Sequence, residues 1–100
     1  MSEIVLKFDL PKRSNKLMLT VPKGAKALHV GTQRGGSGYD EPKLWLVADA
    51  DAFEQHKHCW FEVVAIYTGA LTPPDLPYLG TAILAGGATV LHYFGRVVPG

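Results

Sequence analysis

A single cysteine, Cys59, leaves no partner for an intrachain disulfide. That excludes a disulfide-stapled scaffold and points to a reducing, cytoplasmic setting. Neither sign of charge dominates: ten Lys and Arg against nine Asp and Glu give a formal net charge of +1. The balance speaks against binding to nucleic acid or to an acidic membrane, since either needs a basic patch or stripe. Long hydrophobic runs are missing. Charges, prolines and glycines interrupt every candidate before it reaches the roughly 20 apolar residues that cross a bilayer. The first ten residues, MSEIVLKFDL, lack a basic region followed by an apolar block and a small-residue cleavage site, so no signal peptide is expected. Helical periodicity of useful length is also missing, which leaves strands as the main element.

What is present suits one small globular domain over residues 1–100, with 47% hydrophobic and 19% charged residues. Residues 4–10 alternate cleanly, with Ile4, Leu6, Phe8 and Leu10 on one face. The polar residues 11–15 read as a turn closing a hairpin onto a second strand, residues 16–21, with Leu17, Leu19 and Val21 inward. Pro22-Lys23-Gly24 is a turn signal. Residues 28–33 and 44–48 form the third and fourth strands, the third with Leu28, Val30 and Thr32 on one face. Residues 49–55 read as a turn over the sheet, in which Asp49 or Asp51 caps at most one helical turn. The longest strand, residues 56–69, is apolar on both faces, as in a strand buried between two layers or at an oligomer interface. Residues 70–77 hold three prolines and are irregular. Two last strands, residues 78–85 and 88–97, flank Gly86-Gly87, a two-residue hairpin signal. The expected fold is a small antiparallel β-sandwich or partly open barrel of about seven strands with little or no helix.

The stretch between the third and fourth strands carries the most chemistry. Residues 34–42, RGGSGYDEP, make a loop longer than an ordinary hairpin tip. Backbone N–H groups in such a glycine-rich loop can cradle an anion. Arg34 offers a forked phosphate contact, and Tyr39 or Trp45 a flat face for a base. The plain alternative is a solvated hairpin tip. Trp45, Trp60, Tyr67, Tyr78 and Tyr93 are a large aromatic allotment, part of it core and part available to a pocket. Gln33, Arg34, Thr81 and His92 supply the few polar groups such a pocket needs. The candidate ligand-binding residues are therefore Gln33, Arg34, Gly36, Tyr39, Trp45, Tyr78, Thr81 and His92, with an anion placed where the loop meets Trp45 and the segment 78–81.

Evidence for catalysis is thin. His56 and His58 share a strand face while Cys59 points away, so the three do not converge on one ion, and no metal or cofactor is expected. Cys59 reads as buried and inert. Ser37 sits in GGSG, without the strand-turn-helix context of a nucleophile elbow. The carboxylates form no acid and base pair, and Glu62, flanked by apolar residues, needs a partner or a cavity.

Four segments carry a resemblance: VLKFDL at 5–10, VPKGAKALHVGTQ at 21–33, LWLVADAD at 44–51 and YTGALTPPDLPYLGTAILAGGATVLHYF at 67–94. Together they resemble a family of small, mostly uncharacterised bacteriophage proteins. The Pro22-x-Gly24-Ala25 turn, the Trp45 strand and Tyr78-Leu79-Gly80-Thr81 are its most specific parts, and the 34–42 loop is longer than the pattern. In size and context that family is similar to phage anti-defence sponges, oligomeric non-enzymatic proteins that sequester nucleotide immune signals. The resemblance implies a homo-oligomer in the cytoplasm of an infected bacterial cell. Its ligand would be a small nucleotide, ADP-ribose-derived or a cyclic dinucleotide. The competing class is an interaction module that inhibits a host protein through a surface or an edge strand. An enzyme that cleaves the signal is third.

Overall fold

The computed structural model describes residues 2–36 and 38–99. It is a two-layer antiparallel β-sandwich. β1 (Glu3–Asp9), β4 (Asp40–Asp49) and β3 (Lys26–Arg34) form a three-stranded sheet in the order β1-β4-β3. β2 (Asn15–Pro22), β5 (His58–Tyr67), β7 (Thr89–Val97) and β6 (Tyr78–Leu84) form a four-stranded sheet in the order β2-β5-β7-β6. The sheets do not close into a barrel. One short helix, α1 (Ala50–Glu54), links β4 to β5, and its N-cap is Asp49, whose side chain accepts a hydrogen bond from the Asp51 amide at 2.8 Å. No helix among the described residues is long and apolar enough to cross a membrane.

The strands obey period two because each gives one face to a single core. Leu44, Leu46 and Ala48 of β4 face Phe61, Val63 and Ala65 of β5 together with Leu91 and Tyr93 of β7. The sheets come closest where β3 meets β6. A Cβ built on Gly80 would lie 2.6 Å from Val30 Cβ, so only glycine fits there.

Several sequence expectations are corrected. β1 and β2 do not form a hairpin: β1 pairs with β4 and β2 with β5. An apolar face is satisfied by any complementary face, so alternation alone does not choose the partner, and residues 11–14 carry the chain across to the other sheet. The crossing is pinned at both ends. The Leu10 amide donates to the Pro42 carbonyl at 3.1 Å, and the Tyr93 hydroxyl donates to the Pro11 carbonyl at 2.6 Å. The β6–β7 turn closes at the pair Leu84 and Thr89, so the loop is residues 85–88 rather than two glycines. Ala85, Gly86 and Gly87 all have positive φ there. A bulge at Leu28 shifts the β3 register, which turns Leu28 out to solvent while Val30 stays buried. The long strand is His58–Tyr67, because the backbone at His56 turns left-handed with φ 56°. Cys59 is half-buried, with its Sγ 3.8 Å from the Pro22 carbonyl oxygen.

Tyr93 is fully buried, and burial pushes its phenol pKa above the ordinary 10.0. The folded chain therefore holds this proton where the unfolded chain loses it. The contribution is intact below pH 10 and is lost as pH rises past it, by up to about 1.4 kcal/mol per pH unit. Tyr93→Phe should cost about 1 kcal/mol at neutral pH by leaving the Pro11 carbonyl unpaired. It should also make the alkaline fall shallower, which urea denaturation at pH 7 and at pH 10 to 11 will measure.

Candidate functional site

The eight candidate residues do not converge on one site. Trp45 lies on the exposed side of β4, because Leu44 and Leu46 on either side of it are buried. Gln33, Arg34, Gly36 and Tyr39 belong to the same β3–β4 hairpin. Tyr78, Thr81 and His92 lie on the outer side of the four-stranded sheet, with the core between them and Trp45. Within one chain no ligand touches both groups from the front.

On the three-stranded sheet Trp45 sits in a row with Lys7 of β1 and His29 of β3. The indole and the His29 ring are tilted by 32° with centroids 6.1 Å apart. Both rings pack over Gly31: a Cβ there would lie 3.0 Å from His29 Nε2 and 3.4 Å from the indole, so the glycine lets them close down on β3. Lys7 Nζ donates to Gln33 Oε1 at 2.6 Å, so side chains from both outer strands meet across β4. Among the described residues Lys7 forms no ion pair. Lys43, one row along, is engaged with the Asp9 carboxylate and lies 3.5 Å from Glu41, which also takes Lys12 at 3.3 Å. The Lys43 contact holds the Asp9 carboxyl below its ordinary 3.8, and Asp9 in turn raises Lys43. The assembly is a partly buried aromatic ring beside a cation, an amide and an imidazole. Lys7, His29 and Gly31 were missed in the sequence because nothing local sets them beside Trp45; only strand pairing does.

The hairpin tip is shorter than its sequence suggests. Pairing runs out to Arg34 and Asp40, which leaves residues 35–39 as the loop, an ordinary hairpin length. Two of its amides are used internally, Gly35 to the Tyr39 carbonyl at 2.9 Å and Gly38 to the Gly35 carbonyl at 3.0 Å. The Glu41 carboxylate packs against Gly35, and Arg34 Nε lies 3.9 Å from Asp40. Negative charge thus accompanies the positive charge at the tip. Tyr39 is exposed. Ser37 lies outside the described residues.

On the opposite face four side chains form a hydrogen-bonded chain. Tyr78 OH is 2.5 Å from Thr81 Oγ1, which is 2.9 Å from His92 Nδ1; His92 Nε2 is 2.7 Å from Thr68 Oγ1. Beside Thr68 a shallow hollow of about 290 Å³ is lined by Tyr67, Ala88, Thr89 and Val90. That is just below the lower end of small-molecule pockets, roughly 300 Å³. Glu62 also lies on this face, half-buried and 3.0 Å from Lys16, so its partner is on the outside and not in the interior.

The model of a domain of unknown function, DUF7352, matches residues 1–99. The chain belongs to the DUF7352 family. No curated protein and no solved structure matches it. The match takes in both outer faces of this DUF7352 domain, from Lys7 to His92.

The Asp9–Lys43 contact gives a direct check on the platform's electrostatics. By carboxyl-detected NMR, Asp9 should titrate below 3.8, and Lys43→Gln should return it toward that value. A depressed carboxyl adds stability above its unfolded pKa and loses it as pH falls, so any cost of Lys43→Gln should vanish in acid.

Proposed function

We propose that the protein is a non-enzymatic binding protein that takes a nucleotide ligand on the Trp45 face. The observation that carries this is the Trp45 indole on the outer side of β4, in a row with Lys7 and His29 and with Gln33 hydrogen-bonded to Lys7. A base stacks on the indole, Lys7 meets a phosphate, and Gln33 bonds a base edge or a ribose hydroxyl. Arg34, five residues along β3 from His29, shares the parity of buried Val30 and so lies on the other side of the sheet from Trp45. The ligand class is a nucleotide such as an ADP-ribose derivative or a cyclic dinucleotide. The resemblance to small bacteriophage proteins supplies the setting, sequestration of a nucleotide immune signal inside an infected bacterial cell.

Magnitudes bound the affinity. Stacking on one ring gives about 1–3 kcal/mol. One or two charged hydrogen bonds add about 1.5–3 kcal/mol each. An open face covers one side of a ligand only, so the total corresponds to a dissociation constant in the micromolar to millimolar range. An interaction module that inhibits a host protein is the second reading, favoured by the exposed Trp60, Tyr78, Ile83 and Met18 on the four-stranded sheet.

Isothermal calorimetry with ADP-ribose derivatives, cyclic dinucleotides and AMP tests the first reading. At least one should bind, and be recovered chemically unchanged. Trp45→Ala and Lys7→Ala should each weaken it about ten-fold or more, matching about 1.4 kcal/mol. Arg34→Ala, on the other side of the sheet, should leave binding unchanged. Absence of binding across the panel sinks this reading, and recovery of a cleaved nucleotide makes the protein an enzyme.

A further inference from the structure

The outer face of the four-stranded sheet carries several exposed apolar side chains, among them Met18, Trp60, Tyr78 and Ile83. Strand pairing lays its side chains out in rows. Met18, Glu62 and Arg96 share one row; Lys16, Val64, Phe94 and Tyr78 share the next; Ile66, His92 and Thr81 share a third. Val90 and Ile83 form a fourth row, and Trp60 lies beyond Glu62 at the other end. Trp60, Tyr78 and Ile83 are more than half exposed, which an unpartnered soluble sheet does not need. Four strands about 4.8 Å apart and some 25 Å long give a footprint of roughly 500 Å² per copy. Two such faces clear the roughly 1,000 Å² total that a specific interface requires.

We propose that this face is covered by a second copy of the chain, packed sheet to sheet about a two-fold axis that runs along the strands between β5 and β7. The pattern of residues is complementary to itself under that operation. β5 and β7 are the two middle strands, so the axis sets β5 over β7 of the second copy and β2 over its β6. Each row then meets its own mirror order. Glu62 comes to lie opposite Arg96 of the second copy, and Arg96 opposite its Glu62. Val64 meets Phe94, Ile66 meets His92, and Lys16 is set over the Tyr78 ring, a cation–π arrangement. Aligned sheets cross at about 30°, which keeps the rows nearest the axis in step. An isologous interface needs this property, since each contact must occur twice. The Trp45 face lies on the other side of the core and stays open in the dimer, so ligand binding and association succeed or fail separately.

Charge reversal with the intact chain tests this arrangement. Light scattering at micromolar concentration should give twice the 10.8 kDa chain mass for the natural protein. Glu62→Arg alone places arginine opposite arginine, and Arg96→Glu alone places glutamate opposite glutamate, so each should be monomeric while remaining folded by circular dichroism. Mixed in equal amounts, the two variants should restore the dimer as a heterodimer, because each contact between the two chains at positions 62 and 96 is then opposite in charge. Val64→Glu, with Lys16 beside it in its own chain, should stay folded and also be monomeric. A monomeric natural protein up to about 100 µM, well above usual cellular levels for a stable dimer at micromolar dissociation constants, overturns the proposal and leaves the face to a different protein. So does a variant that dimerises like the natural chain, or a mixture that stays monomeric.

Discussion

The fold depends on one core that two sheets must fill from opposite sides. Tyr93 stands at its centre. Its ring is fully buried among Val63, Ala65, Leu91 and Leu44, and its hydroxyl must still find a hydrogen bond. The partner is the Pro11 carbonyl, on the connection that leaves the three-stranded sheet. One residue of the four-stranded sheet thereby fixes where the chain crosses from the other. A proline at that position gives up no amide, and its carbonyl is free to accept. The same economy of space explains the seam between β3 and β6, where Gly80 lets the backbone approach Val30 more closely than any side chain allows.

With the inner faces used up, chemistry is left to the two outer faces, and these differ. The three-stranded sheet presents charged and polar side chains around one indole: Asp9, Lys43, Glu41 and Lys12 are paired to one another, while Lys7 is tied to an amide. The four-stranded sheet presents apolar side chains with three charged residues, Glu62 and Arg96 in one row and Lys16 in the next. A small domain with two sides of unlike chemistry can hold a ligand on one and a copy of itself on the other without either interfering. The hydroxyl and imidazole chain through Tyr78, Thr81, His92 and Thr68 belongs to the apolar side, where mutual hydrogen bonds satisfy groups that covering would otherwise strand.

Alternation of apolar residues was enough to place the strands, because a half-buried strand must show period two whatever it pairs with. Residues 4–10, 16–21 and 44–48 reveal their buried faces in this way, and the Pro22-Lys23-Gly24 turn is readable for the equally local reason that Gly24 takes φ 83°. A β class with little helix follows from the sequence alone. Partner choice does not. An apolar face is satisfied by any complementary face, so nothing in residues 4–21 says that β1 and β2 join different sheets; that is decided by how all seven strands share one core. The candidate site divided for the same reason. Trp45 and Tyr78 look alike as sequence, yet the sign of each strand's alternation relative to the core sends them to opposite sides. Lys7, His29 and Gly31 become neighbours of Trp45 only through the β1-β4-β3 order, because side chains 14 to 38 residues apart meet by register and not by local spacing.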